Sequence, residues 1–208
     1  MTLLEEVAEG TGPRVRELTV VDIEKMLEAG IIEEGAPFEL IEGLLIRKDR
    51  DTKEGDGMAH GPRHAVVVSS LAGLGPRLEA LGCCLRAQLP IVLSGLSAPE
   101  PDIAVLRGKL SDFATRHPGP ADVVAVIEVA DRSLRFDRGA KQRLYATAGI
   151  LQYWIANLVD DQLEVYEDPI PSAGRYGRRS NFGPLEVATL AINPEASIEL
   201  AVASFLRL

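Results

Sequence analysis

The stretch Asp122-Val123-Val124-Ala125-Val126-Ile127-Glu128-Val129-Ala130 sets the fold class, because nine residues so nearly apolar and so rich in β-branched side chains read as a strand covered on both faces. Glu128 is its exception. An ionised carboxylate among Val and Ile is costly unless a cation or hydrogen-bond donors meet it, so it demands a partner. A second apolar run, Pro101-Asp102-Ile103-Ala104-Val105-Leu106, opens on another acid and also reads as a buried strand. Downstream, Phe136-Asp137-Arg138-Gly139-Ala140-Lys141-Gln142-Arg143-Leu144-Tyr145 reads as a helix packed on those strands, and it carries Lys141. Asp102 and Glu128 on adjacent strands would form half of a divalent-metal site; the plainer reading is a structural ion pair with Lys141. Lys141 has a local alternative partner in Asp137, four residues earlier on the same helix face.

On the N-terminal side, Leu18 to Gly30 has the pattern of a helix, with Thr19 as cap, Asp22 three residues on, Gly30 as stop, and Val20, Ile23 and Leu27 on the apolar face. Phe38-Glu39-Leu40-Ile41 and Leu44-Leu45-Ile46 flank Glu42-Gly43 as a hairpin. Residues 47–60 are polar and glycine-bearing and read as a mobile loop. A second helix is expected from Gly61-Pro62, its core stripe running through Val67, Leu71, Leu74, Leu78 and Leu81, with Pro76 kinking or splitting it near Ala72. Cys83 to Gln88 and Pro90 to Leu93 read as one strand or a broken pair, and Ala98-Pro99-Glu100-Pro101 fixes the approach to the Asp102 strand. Beyond the central helix, Gln152 to Ala156 and Leu163 to Tyr166 form a predicted hairpin around Val159-Asp160-Asp161. The tail adds a strand at Leu185 to Leu190, and Phe205, Leu206 and Leu208 are expected to pack back on the domain.

With 208 residues and 46% hydrophobic content the chain can bury one sizeable core, so the expected organisation is a single domain over 1–208, with 1–17 as a flexible extension. The acidic start Met1-Thr2-Leu3-Leu4-Glu5-Glu6 lacks the basic region of a signal peptide, and no apolar run is long enough to span a bilayer; a cytoplasmic protein with no membrane partner is expected. Cys83 and Cys84, being adjacent, lack metal-ligand spacing and read as buried thiols. A net charge of −9 argues against a protein that coats nucleic acid through bulk electrostatics. Two local basic groups stand against that balance: Arg132, Arg135, Arg138, Lys141 and Arg143 just after Glu128, and Arg175, Arg178 and Arg179, which read equally well as solvated charge. His60, His64 and His117 are too scattered for a zinc site, and no Ser/His/Asp hydrolase signature accompanies them.

The ordered series Phe38-Glu39-Leu40-Ile41-Glu42-Gly43, Arg63-His64, Pro99-Glu100-Pro101-Asp102, Ile127-Glu128-Val129-Ala130-Asp131-Arg132-Ser133-Leu134, Phe136-Asp137, Lys141, Tyr145-Ala146, Ala148-Gly149-Ile150 and Tyr153-Trp154-Ile155 resembles the Uma-type family of restriction-endonuclease-like proteins, within the PD-(D/E)xK nuclease superfamily. The likeness runs from about Thr19 onward. It implies an α/β, restriction-endonuclease-like fold: a central mixed β-sheet flanked by helices, with additional β-hairpins, a metal site at one edge and often a homodimer. One departure matters. The superfamily's lysine usually stands two residues after the second acid, where this chain has Ala130. In the Uma-type family the following helix supplies it, which maps the role to Lys141, thirteen residues after Glu128. That separation accommodates the strand end, a loop and one or two helical turns.

The resemblance implies a Mg²⁺- or Mn²⁺-dependent endonuclease hydrolysing phosphodiester bonds in DNA. Asp102 and Glu128, with the backbone carbonyl of Val129, would hold a metal that prefers oxygen ligands. Lys141 would position or help deprotonate the attacking water and offset transition-state charge. Glu39 either adds a third carboxylate or faces solvent. His64 either faces a phosphate or caps its helix, and Gln88 either supports the site or lies on the sheet surface. Arg132, Arg135, Arg138 and Arg143 would take up DNA phosphates. Tyr153 and Trp154 read as core before they read as base-stacking platforms. A reading of another class is a catalytically inactive nuclease-fold protein acting as a nucleic-acid-binding or protein-interaction homodimer.

Overall fold

The computed structural model describes residue 9, residues 11–48 and residues 61–206; most of the 47–60 loop, His60 and Leu208 lie outside the described residues. Helix α1 (Val20–Glu28) starts in the expected capping box: the Asp22 amide donates to the Thr19 hydroxyl at 3.1 Å, and the Thr19 amide donates to the Asp22 carboxylate at 2.9 Å. Its apolar face is less covered than the spacing implied. No residue of α1 is buried and Leu27 is 39% exposed, because the helix is held at its start, where the Val20 amide bonds to the Gly95 carbonyl.

β1 (Phe38–Ile41) and β2 (Leu44–Arg47) pair antiparallel as expected. Both turn residues take positive φ, Glu42 at 50° and Gly43 at 77°, the geometry whose twist matches the strands. Gly43 is required there, since a Cβ would stand 2.5 Å from Glu17 Cβ. The hairpin is fastened to the 94–98 loop by Ala98 N–H to Leu40 O and Gly43 N–H to Leu96 O, both 2.8 Å.

The long helix splits where proline chemistry demands: α2 (Pro62–Ala72) stops at Gly73 and α3 (Gly75–Glu79) restarts with Pro76 in its first turn. Val67, Leu71 and Leu78 are fully buried, whereas Leu81 falls past the helix end and is exposed. β3 (Cys83–Ala87) follows, but Pro90 to Leu93 is not a strand. The amides of Ile91, Val92 and Leu93 donate to the carbonyls of Pro99, Pro118 and Ser97, which lie at scattered positions, so no ladder forms.

β4 (Ile103–Arg107) and β5 (Val123–Ala130) are antiparallel neighbours, and all eight residues of β5 are buried. The expected single helix after β5 is instead α4 (Leu134–Phe136), a π turn (Asp137–Lys141) and α5 (Gln142–Thr147). Within that turn the amide of Gln142 reaches back five residues to the carbonyl of Asp137, with Gly139 as the weak helix former inside it. This crossover lets β6 (Gln152–Asn157) run parallel to β5. β7 (Gln162–Ile170) and β8 (Arg175–Phe182) continue antiparallel, completing a six-stranded mixed sheet in the order β3-β4-β5-β6-β7-β8. β9 (Val187–Asn193) and β10 (Ala196–Ala201) make a separate hairpin before the short α6 (Ala203–Leu206).

Alternation along β5 and β6 divides the core. Ile127, Val129, Trp154 and Ala156 face α2, α3 and the β9–β10 hairpin, while Val126, Tyr153 and Ile155 face α5. The architecture is therefore α/β, a central mixed sheet flanked by helices with additional hairpins. Glu128 falls on the α5 face. Among the described residues no helix is long and apolar enough to cross a membrane.

Candidate active site

Strand register places the acids. Ile103 opposes Ile127, so Asp102, one step before β4, comes beside Glu128. The two are laced reciprocally: the Val129 amide donates to Asp102 Oδ2 at 2.8 Å, and the Asp102 amide donates to Glu128 Oε2 at 3.2 Å. The π turn delivers Lys141, whose Nζ lies 3.0 Å from Glu128 Oε1 and 2.7 Å from Glu39 Oε2. Glu39 is thus in the cluster and not facing solvent. Its carboxylate also accepts the Glu100 amide at 3.2 Å, which joins the hairpin to the approach of β4.

His64 and Gln88 both reach Asp102. His64 Nε2 stands 3.1 Å from Oδ2, and the Gln88 amide donates to Oδ1 at 3.3 Å. His64 is held by its neighbour, for Arg63 donates to the Leu158 carbonyl at 2.8 Å and pins the start of α2 across the sheet. Gln88 takes φ +53°, a left-handed conformation that ends β3 and is uncommon for a side chain of its kind.

Burial and crowding set the ionisation. Burial pushes the Glu128 carboxyl up to about 8, against the pull of the Lys141 charge and with the push of Asp102, Asp137 and Glu39. Burial alone would lower Lys141, but Glu128, Glu39 and Asp137 outweigh it and keep the ammonium charged. Asp102 ends below the usual carboxylate range, because the His64, Val129 and Gln88 contacts overcome its burial. Burial raises the Tyr145 phenol well above its ordinary value, so it remains a donor.

These groups fit a hard divalent cation. Glu39, Glu128 and Asp137 act on the ammonium of Lys141, Asp102 lies beside Glu128, and the ligand atoms on offer are oxygens, which suit Mg²⁺ or Mn²⁺. Among the described residues no three His, Cys, Asp or Glu side chains converge on one point, so a cation here would be held by two carboxylates and backbone oxygen.

The arginines divide. Arg138 donates through Nε to both carboxylate oxygens of Glu164, at 3.0 and 3.2 Å, and Arg143 pairs with Glu42 at 3.0 Å. Arg132, just past the end of β5, and Arg135, in α4, are exposed and form no ion pair among the described residues. Tyr153 and Trp154 are fully buried and offer no face to a base; His117 is exposed, on the loop before β5.

Two residues escaped the sequence reading. Tyr145, placed on a helix and in the family pattern but given no role, donates its O–H to Glu128 Oε1 at 2.8 Å. Glu164 sits in the same register row as Glu128, with Ile155 between them, and is fully buried. The signal was present for Glu164: it is an acid inside the apolar run Leu163-Glu164-Val165-Tyr166, the pattern that drew attention to Glu128.

With Asp102 one step before β4, Glu128 on β5 and Lys141 from the crossover brought together, the molecule has the mixed-sheet architecture of a nuclease-fold protein. The family described as "Uma2: Putative restriction endonuclease" matches residues 23–203, and the chain belongs to that family. It is similar in fold to a solved structure from Anabaena variabilis ATCC 29413, described as a "putative nuclease belonging to DUF820". The two share 14% identity and a TM-score of 0.62 over 91% of this chain and 98% of that one. No curated protein matches the chain.

Proposed function

We propose that this protein is a Mg²⁺- or Mn²⁺-dependent endonuclease that cleaves phosphodiester bonds in DNA, acting as a single restriction-endonuclease-like domain. The observation that carries this reading is the convergence of Asp102, Glu128 and Lys141 in one hydrogen-bonded cluster, in a chain of the Uma2 family. Asp102 and Glu128 would hold the cation, with the Val129 carbonyl, which shares the side of β5 from which the Val129 amide meets Asp102. When bound, the cation supplies Lewis-acid stabilisation of charge on the phosphoryl oxygens.

The chain's own residues do the rest. Glu39 holds the Lys141 ammonium charged beside Glu128, where it orients the attacking water and offsets negative charge as the transition state forms. His64 and Gln88 fix the Asp102 carboxylate from two sides. Arg132 and Arg135, unengaged by acids among the described residues, are the groups best placed to meet phosphates, and the acidic remainder of the surface keeps such binding weak and salt-dependent.

The test is incubation of purified protein with single- and double-stranded DNA and with RNA in Mg²⁺, Mn²⁺ or chelator. Cleavage of DNA that requires metal and vanishes in Asp102→Asn is the expected result. Binding without turnover on every substrate would favour a non-cleaving nuclease-fold protein.

A further inference from the structure

When ionised, as a cation ligand must be, the Glu128 carboxylate has about four acceptor positions, two on each oxygen. Oε1 takes both Lys141 Nζ at 3.0 Å and Tyr145 O–H at 2.8 Å, while Oε2, among the described residues, takes only the Asp102 amide at 3.2 Å. One position is left, and it lies on Oε2, the oxygen turned towards Asp102. Lys141 alone would leave Oε1 half open. The second donor closes it.

Tyr145 is built to stay where it is. It lies four residues after Lys141, so both side chains descend from the same face of the crossover helix onto Glu128. Its ring is fully buried and packs against Tyr153 at 4.9 Å between centroids, tilted by 44°. The Tyr153 hydroxyl in turn donates to the Asp137 carbonyl at 3.0 Å, which ties the π turn to β6. Ring and helix are thus both fixed against the sheet that carries Glu128.

We propose that Tyr145 is a positioning residue: its phenol saturates Glu128 Oε1 and so confines the carboxylate's remaining lone pair to Oε2, beside Asp102, where a divalent cation would be shared by the two acids. This rests on the reading of the site as metal-dependent. Without the hydroxyl, Oε1 regains an open position facing away from Asp102, and the two acids no longer present one binding geometry.

The experiment compares wild type, Tyr145→Phe and Tyr176→Phe. Tyr176 belongs to the same tyrosine cluster, 6.3 Å from Tyr153, and its hydroxyl bonds to the Ile150 carbonyl at 2.9 Å, so its variant loses an equivalent buried bond without touching Glu128. Three readouts are taken: the ¹³C carboxyl resonance of Glu128, assigned by its loss in Glu128→Gln; Mn²⁺ affinity by calorimetry; and kcat and KM on DNA. In Tyr145→Phe the resonance is expected to move, Mn²⁺ affinity to fall about tenfold and kcat to fall about tenfold with KM unchanged. In Tyr176→Phe all three should match wild type. An unmoved resonance, or a moved one with Mn²⁺ affinity and kcat retained, overturns the positioning role. A wild-type protein that neither binds Mn²⁺ nor cleaves DNA overturns the metal-dependent reading itself, and the role with it.

Discussion

The ammonium of Lys141 lies 2.7 Å from a carboxylate oxygen of Glu39, a residue 102 positions earlier in the chain, and both side chains are buried. Removing only the cation would leave Glu39 and Glu128 facing each other without it. Lys141→Met is therefore expected to destabilise the fold by about 3–5 kcal/mol, the usual cost of orphaning a buried charge. Adding Glu39→Gln should recover part of that loss, a coupling that urea titrations of the two single variants and the double variant would measure. Additive losses would mean that the pair does not interact.

Asp102→Asn should be far gentler to the fold. The variant can keep its carbonyl oxygen towards the Val129 amide and turn its NH₂ to Gln88, whose own amide can flip to accept. Stability is expected to stay within about 1.5 kcal/mol, on the order of one neutral hydrogen bond. Mn²⁺ affinity should drop severely, since an anionic ligand of the proposed site is gone. Calorimetry showing wild-type affinity would remove Asp102 from the site.

Arg138 and its neighbours Arg132 and Arg135 should behave oppositely. Arg138→Met leaves Glu164, which has no exposed surface, to Arg179, Tyr166 and Asn157, and is expected to cost about 1–3 kcal/mol. Charge reversal of Arg132 and Arg135 should leave stability within about 0.5 kcal/mol, as is usual for exposed positions. It should weaken DNA binding and reduce the salt slope by about 1 for each phosphate no longer neutralised. Binding assays across a salt series, beside thermal melts, separate the two outcomes.

Glu164 also gives the stability a pH signature. Burial pushes its carboxyl up, but the bonds from Arg138, Tyr166 and Asn157 and the Arg179 charge prevail and hold it below the usual value of 4.5. A group depressed in the folded state stabilises at pH above its unfolded value and loses that contribution as pH falls through the folded one. The melting advantage of wild type over Glu164→Gln should thus be full at pH 6 and shrink below about pH 4.5. An advantage constant down to pH 3 would contradict it.

How much of this was legible in the sequence follows from how local each cause is. β5, the β1–β2 hairpin and the break at Pro76 were readable because their signals, an apolar run, a two-residue turn and a missing amide, lie within a few residues. The apolar residues Ile91 to Leu93 misled, because their amides are satisfied by single bonds to scattered carbonyls and periodicity cannot see that. That Asp102, Glu128 and Lys141 come together was legible from their chemistry and family pattern, whereas the Tyr145 bond was invisible: a tyrosine on a packed helix face looks the same whether or not its hydroxyl meets a carboxylate. Nor does composition reveal that Arg138 and Arg143 are already engaged by Glu164 and Glu42.

The spans of chain enclosed by the cluster's bonds imply an order of assembly. Lys141 meets Glu128 across 13 residues and Asp102 meets Glu128 across 26, but the Glu39 bond must close 102. Since closing a longer loop costs more entropy before any interaction rewards it, the sheet, its two acids and the lysine should come together first and the hairpin should dock last. A newly made chain would then hold its lysine beside the acids before Glu39 arrives to anchor it, and the proposed hydrolytic activity would begin only with the final docking step. Pulse-labelled hydrogen exchange during refolding should accordingly find the amides of Phe38–Arg47 protected after those of Val123–Ala130, and the onset of DNA cleavage should coincide with the later event.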